Sequence, residues 1–110
     1  MNKVQEKMIV YNTTFAVDPA ICSEFVSYIK SEFIPAVLKT NLLSNPRLHR
    51  VLKDNAAEEG VSYALHFEAK NMAVLDKYFE EYGVDLNEAL ADRFANRMAG
   101  FITMMEIEEI

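Results

Sequence analysis

The order in which the chain switches between strand-like and helix-like periodicity restricts its fold more than any other feature. Residues 8–17, Met8-Ile9-Val10-Tyr11-Asn12-Thr13-Thr14-Phe15-Ala16-Val17, are rich in β-branched and aromatic types and hold neither Gly nor Pro, so they predict a first strand. Asp18-Pro19 then supplies a side-chain acceptor for free helical amides, followed by the residue that best tolerates the first helical position. Ile21, Phe25, Ile29 and Phe33 recur at four-residue spacing, with Cys22, Val26 and Tyr28 widening the stripe, which marks one buried face of a helix. Pro35 lacks an amide donor and crowds the carbonyl four residues back, so the helix should kink or restart near Phe33 before Ala36-Val37-Leu38 finishes it.

Ser44-Asn45-Pro46 reads as a turn, and residues 47–53 predict a half-exposed second strand. A polar connection from Asp54 to Gly60 leads to residues 61–69, where large apolar side chains alternate with small or polar ones in a third strand. Asn71 can cap a second helix with apolar positions Met72, Leu75, Phe79 and Tyr82. Gly83 interrupts it, Asp85 and Glu88 resemble a new capping arrangement, and Leu86, Leu90, Phe94 and Met98 carry the stripe on to a stop at Gly100. Residues 101–107 predict a fourth strand.

The order β-α-β-β-α-β is the split βαβ, or ferredoxin-like, α+β pattern, and 110 residues suit a single domain over 1–110. Right-handed crossovers place both kinked or broken helices on one face of a four-stranded antiparallel sheet. The other face is then bare, yet strands one and four carry large apolar residues at both parities: Met8 and Val10 against Ile9, Tyr11 and Phe15, and Ile102 and Met104 against Phe101 and Met105. With 51% hydrophobic residues and no third layer to cover that face, the expected cover is a second copy, giving a homodimer with sheets face to face.

Seventeen acidic residues against eleven basic ones give a net charge of -6, which repels a phosphate backbone, so nucleic acid is not an expected partner. No run approaches the apolar length of a membrane span or of the apolar part of a signal peptide, and neither a membrane nor secretion is expected. The single Cys22 rules out an internal disulfide and a multi-cysteine metal site, and fits a packed residue in a protein of the reducing cytoplasm.

Strands two and three allow one further deduction, because residues opposite each other in a hairpin point to the same face. Placing Leu48 and Leu52 on the side of Tyr63, Leu65 and Phe67 requires opposing residue numbers to sum to an odd value, and a sum of 115 leaves residues 54–61 as connection. In that register His49 faces His66, Arg47 faces Glu68 and Val51 faces Ala64, with Asn12 and Thr14 of strand one joining the same side. The result is a candidate polar pocket or interface of Asn12, Thr14, Arg47, His49, His66 and Glu68. Two imidazoles beside a carboxylate could hold a divalent metal, but without a short ligand motif no metal is expected. His66 could serve as a general acid or base, while a hydrogen-bonded imidazole without a chemical role is the reading favoured. Gly60, Gly83 and Gly100 lie too far apart to cradle a phosphate, no nucleophilic triad is recognisable, and no cofactor is expected. Met104-Met105 with Phe25, Phe33, Phe79 and Phe94 could line an apolar ligand cavity, although core packing better accounts for them.

The segments 8–15, Phe33-Ile34-Pro35-Ala36, Asn45-Pro46-Arg47-Leu48 and Ser62-Tyr63-Ala64-Leu65 resemble a family of short bacterial proteins described as a domain of unknown function, from residue 8 to the end. By topology the chain is also similar to the wider dimeric α+β barrel group, which includes antibiotic-biosynthesis and haem-degrading monooxygenases. For the haem-degrading members, that resemblance implies an Asn on strand one, a Trp on strand three and a His on the second helix. Asn12 matches in kind and place, but the chain has no Trp and both histidines fall on predicted strands. For the cofactor-free oxygenases it implies a polycyclic aromatic substrate in a cleft between helices and sheet. The resulting expectation is a homodimeric ligand-binding or regulatory module for a small apolar or aromatic molecule, with a cofactor-free monooxygenase as the alternative.

Overall fold

The β-branched and aromatic run of the first segment forms β1 (Ile9–Val17), whose alternation buries Ile9, Tyr11, Phe15 and Val17 on one face. A computed structural model describes residues 7–52 and 60–110. Asp18 ends the strand and caps a 3-10 turn (Pro19–Ile21), its carboxylate accepting from the Ala20 amide at 2.9 Å while Pro19 opens the turn. Helix α1 (Cys22–Tyr28) then runs through a π turn (Ile29–Phe33) into α2 (Ile34–Leu38), with Pro35 in its first turn. The second helical layer is built alike: α3 (Met72–Tyr78), a π turn (Phe79–Gly83) and α4 (Val84–Phe94). Asn71 caps α3 by accepting from the Val74 amide at 2.9 Å.

The first π turn has a cause in the spacing of apolar residues. At 3.6 residues per turn, side chains four apart drift by about 40° around an ideal helix. Ile21, Phe25, Ile29, Phe33 and Val37 are nevertheless all buried. A wider turn takes up the drift and keeps them on the sheet.

Strands β2 (Leu43–Arg50), β3 (Val61–Ala69) and β4 (Met98–Glu106) complete an antiparallel sheet in the order β2-β3-β1-β4. The helices cover one face. Phe25, fully buried, is at the centre of that core, with ring centroids 5.1 Å from Phe15, 5.5 Å from Phe94 and 5.7 Å from Tyr63. A second aromatic group joins Tyr11 to Phe79 at 5.0 Å and to Tyr78 at 6.1 Å.

Several expectations are corrected. Ser44-Asn45-Pro46 is no turn before β2 but a bulge within it, with Asn45 at φ 57° and the pairing shifted between Ser44 and Arg47. β2 accordingly begins earlier and ends at Arg50, and Leu52, expected on the helix side, is 86% exposed beyond it. Asp85 and Glu88 make no cap, because α4 continues from the π turn without a break in helical geometry. The stop falls at Ala95, at φ 50°, rather than at Gly100, and β4 starts at Met98, three residues before the expected Phe101. In α3 the buried positions are Leu75 and Tyr78, while Met72, and Tyr82 in the following π turn, are exposed. The expected connection lies largely outside the described residues, as does Lys53, the expected end of the second strand.

Candidate functional site

Parity places Val10, Asn12, Thr14 and Ala16 of β1 opposite the buried set, on the face without helices. Their partners in the ladders extend the open face across the sheet. One row runs Arg47, His66, Asn12, Thr103, and the next runs His49, Ala64, Thr14, Phe101. Glu68 stands one row above, opposite Ser44 and Val10.

All the residues singled out from the sequence therefore lie on one face, but in a different register. The bulge shifts β2 by two residues from the predicted pairing, so Arg47 rather than His49 is opposite His66, and His49 is opposite Ala64. Val51 is not paired with Ala64; its amide donates to the Ser62 carbonyl at 2.8 Å. A shift of two preserves parity. The imidazoles of His49 and His66 remain neighbours on the diagonal, with ring centroids 5.7 Å apart and planes inclined at 48°.

The bulge also decides what Glu68 does. It turns Asn45 onto the face, where its amide donates to Glu68 Oε2 at 3.0 Å. Among the described residues the ion pairs are Lys7 with Glu108 and Arg97 with Asp18, so Arg47 has no carboxylate within salt-bridge distance there. Asn12 donates through Nδ2 to Thr14 Oγ1 at 3.1 Å. Half-burial lowers the pKa of His66 from its usual 6.5, and the adjacent His49 and Arg47 lower it further, against a weaker opposing pull from Glu68. An imidazole in that setting is suited to donating or accepting one hydrogen bond near neutral pH. Among the described residues no third His, Cys, Asp or Glu joins the pair in a metal-binding group.

Two hollows flank this row. One, of about 390 Å³, lies on the open face beyond His49, lined by Thr14, Ala16, Val51, Ser62, Ala99, Gly100 and Phe101. The other, of about 300 Å³, is a cleft on the helix side, between α4 and the edge of the sheet. Thr13, Phe15, Met98, Gly100 and Ile102 form its floor, and Asn87, Leu90 and Ala91 form its wall. It exists because the helices stop short of β4: Ile102 and Met104, on the helix side of that strand, are 44% and 45% exposed. Gly100 helps to keep it open, since a Cβ there would stand 3.0 Å from the Phe15 ring. Sequence reasoning missed Asn87 and Ala91. Their signal was a polar and a small residue four apart beside the apolar stripe of α4, where a large side chain would have closed the cleft. The side chains expected to line an apolar cavity, Phe25, Phe33, Phe79, Phe94, Met104 and Met105, line neither hollow: Phe25, Phe33 and Phe94 are core, and Met104 and Met105 are exposed on opposite sides of β4. Cys22 is a free, half-buried thiol donating to the Asp18 carbonyl at 3.6 Å.

Known structures share this fold. A protein from Caulobacter crescentus, named as a candidate antibiotic biosynthesis monooxygenase, superposes with a TM-score of 0.68 at 24% identity, over 96% of this chain and 93% of its own. A dimeric ferredoxin-like protein from an uncultured marine organism gives 0.65 at 12% identity, over 96% of this chain and 99% of its own. A single-site mutant of SnoaB, a cofactor-independent oxygenase from Streptomyces nogalater, gives 0.67 at 12% identity, over 94% of this chain and 96% of its own. At these identities the likeness establishes the ferredoxin-like fold alone. No curated protein matches the chain in sequence. The resemblance seen in the strand and proline segments does have a sequence-level counterpart: residues 8–108 match a domain of unknown function (DUF4286), and the chain belongs to that family.

Proposed function

We propose that this protein is a homodimeric module that binds a small apolar or aromatic molecule in the cleft between α4 and strands β1 and β4. The observation that carries this reading is the uncovered helix side of β4, which leaves a cavity of about 300 Å³ walled by Phe15, Leu90, Ala91, Met98 and Ile102. That volume is at the small end of ligand pockets, and an apolar wall with a few polar groups is their usual composition. Thr13 and Asn87 supply the polar groups. Among the described residues lining the cleft none is titratable, which favours binding over acid–base chemistry. For the dimer, support comes from the open face, where Phe101 is 63% exposed and Met105 46%. The same reading takes residues 1–110 as one domain of a cytoplasmic protein, in keeping with the free Cys22.

The test is native mass spectrometry of the protein purified from its own host, followed by thermal shift with flat aromatic probes. A retained small molecule, and a rise in Tm that Ala91→Trp abolishes by filling the cleft, are expected. No retained molecule together with no probe-induced shift would refute the reading, as would a shift undiminished in A91W. Sedimentation should give twice the chain mass, reverting to one chain in Phe101→Glu; a stable monomer of the unaltered protein at micromolar concentration would remove the dimer. The fold shared with SnoaB favours a second reading, cofactor-independent oxygenation of an aromatic substrate in the same cleft. Oxygen uptake with a polycyclic aromatic substrate separates the two.

A further inference from the structure

The open face carries a second feature that the cleft does not use. Arg47, His49 and His66 converge on adjacent rows of two neighbouring strands in a chain of net charge -6. We propose that this row binds a small organic monoanion, an aromatic carboxylate, whose apolar body extends toward the hollow between Val51, Ala16 and Phe101. The inference stands apart from the cleft reading and does not require it.

Arg47 has no carboxylate partner among the described residues, and Glu68, the acidic side chain nearest on this face, is one row away and held by the Asn45 amide at 3.0 Å. A guanidinium presents parallel N–H donors in a planar fork that matches a carboxylate. His66 lies directly across the strand pair from Arg47, and the His49 ring lies 5.7 Å from that of His66, so both imidazoles can donate into the same space. On the far side of His66, Asn12 adds a neutral amide.

Geometry also selects the rest of the ligand. The row below the cations runs His49, Ala64, Thr14, Phe101, and the one below that is reduced to Ser62, Ala16 and Ala99. Small side chains between Val51 and the exposed ring of Phe101 leave the hollow of about 390 Å³. Phe101 lies one row down and the alanines two, on the far strands, so an extended aromatic body rather than a short chain is what can reach from Arg47 toward them. Inorganic phosphate would satisfy the cations but leave the hollow unused. Only Arg47 is charged at every pH, which matches one negative charge better than two. In a face-to-face dimer two such rows share one interface, and a bound anion reduces the repulsion between them.

The experiment titrates the protein, in the assembly it forms in solution, with 2-naphthoate, uncharged 2-naphthalenemethanol and inorganic phosphate. Calorimetry gives the affinity and 15N NMR of the imidazoles gives the place. Naphthoate should perturb His49 and His66, bind more tightly at pH 6 than at pH 8, and lose roughly tenfold or more in affinity in Arg47→Met, the loss expected for a charge-assisted hydrogen bond. Arg47 is exposed, so R47M should fold, and circular dichroism checks that it does. His66→Gln should weaken the pH dependence, and A91W should leave the naphthoate perturbation of His49 and His66 intact. A perturbation of His49 and His66 that R47M leaves unchanged, or that the alcohol or phosphate matches, overturns the proposal. Naphthoate binding that A91W abolishes and R47M does not would assign the ligand to the cleft, overturning this site while supporting the other.

Discussion

Gly83 closes the π turn between α3 and α4 in ordinary helical geometry, at φ -63° and ψ -39°. In most helices an alanine at such a position would be a gain, since Gly costs about 0.8–1.0 kcal/mol relative to Ala. Here a Cβ would stand 2.8 Å from Phe79 Cδ1 and 2.9 Å from Tyr78 Cε2, where carbon atoms at rest sit about 3.5–4.0 Å apart. Neither ring can retreat freely. Tyr78 is fully buried, and its ring centroid lies 5.6 Å from that of Phe79 and 6.1 Å from that of Tyr11, so moving one ring presses on the others. Overpacking of this kind costs about 1–3 kcal/mol. Subtracting the propensity gain leaves Gly83→Ala destabilising by about 1 kcal/mol, with a fall in Tm of about 4–8 °C for a domain near this size. Differential scanning calorimetry measures both. Phe79→Leu should recover part of the loss in the G83A background, because the two changes share a contact and need not add. A G83A protein as stable as the unaltered chain, or more stable, would show that the rings yield easily and that the π turn is not held by this contact.

Two further outcomes rest on single side chains. The Tyr78 hydroxyl is buried without a hydrogen-bond partner among the described residues, so Tyr78→Phe should be neutral or raise stability by about 1 kcal/mol in chemical denaturation; a loss beyond roughly 0.5 kcal/mol, the limit for a neutral change, would mean that the hydroxyl is satisfied. His66, held below its usual 6.5 by burial and then by His49 and Arg47, resists a proton that the unfolded chain accepts near that value. Stability should therefore fall as pH drops below about 6.5 and level off below the folded pKa, and His66→Gln should remove that part of the slope; a slope unchanged in the variant would dispose of the explanation.

How far the sequence revealed this structure depends on which interactions are local. The cap at Asp18-Pro19, the cap at Asn71 and the alternation of residues 61–69 depend on near neighbours, and each is found where its pattern puts it. The face shared by Asn12, Thr14, Arg47, His49, His66 and Glu68 was legible because parity survives a register error of two. The register itself was not legible. It depends on Asn45 taking a positive φ inside a strand, and Asn45-Pro46 signals a turn as readily as a bulge. The strict four-residue spacing of Ile21 to Val37 already implied a wider helical turn, but a proline nearby offered a simpler reading of the same interruption. Neither hollow was legible: the cleft depends on where α4 stops relative to β4, and the open-face hollow on which small side chains the register sets side by side, and no local pattern encodes either.

The bulge in β2 has a consequence for how copies of this sheet can join. A fibre that grows strand by strand needs a pairing edge on each side of every subunit. At the β2 edge the bulge between Ser44 and Arg47 bends the strand, and Pro46 offers no amide. At the opposite edge β4 runs unbroken from Met98 to Glu106 with no proline. One edge is blunted and the other is not, so edge pairing can join β4 only to β4. Such a contact is self-complementary, uses up the competent edge of both copies and stops there. The residues that misplace the register in a sequence reading also set an upper limit of two on edge-to-edge growth.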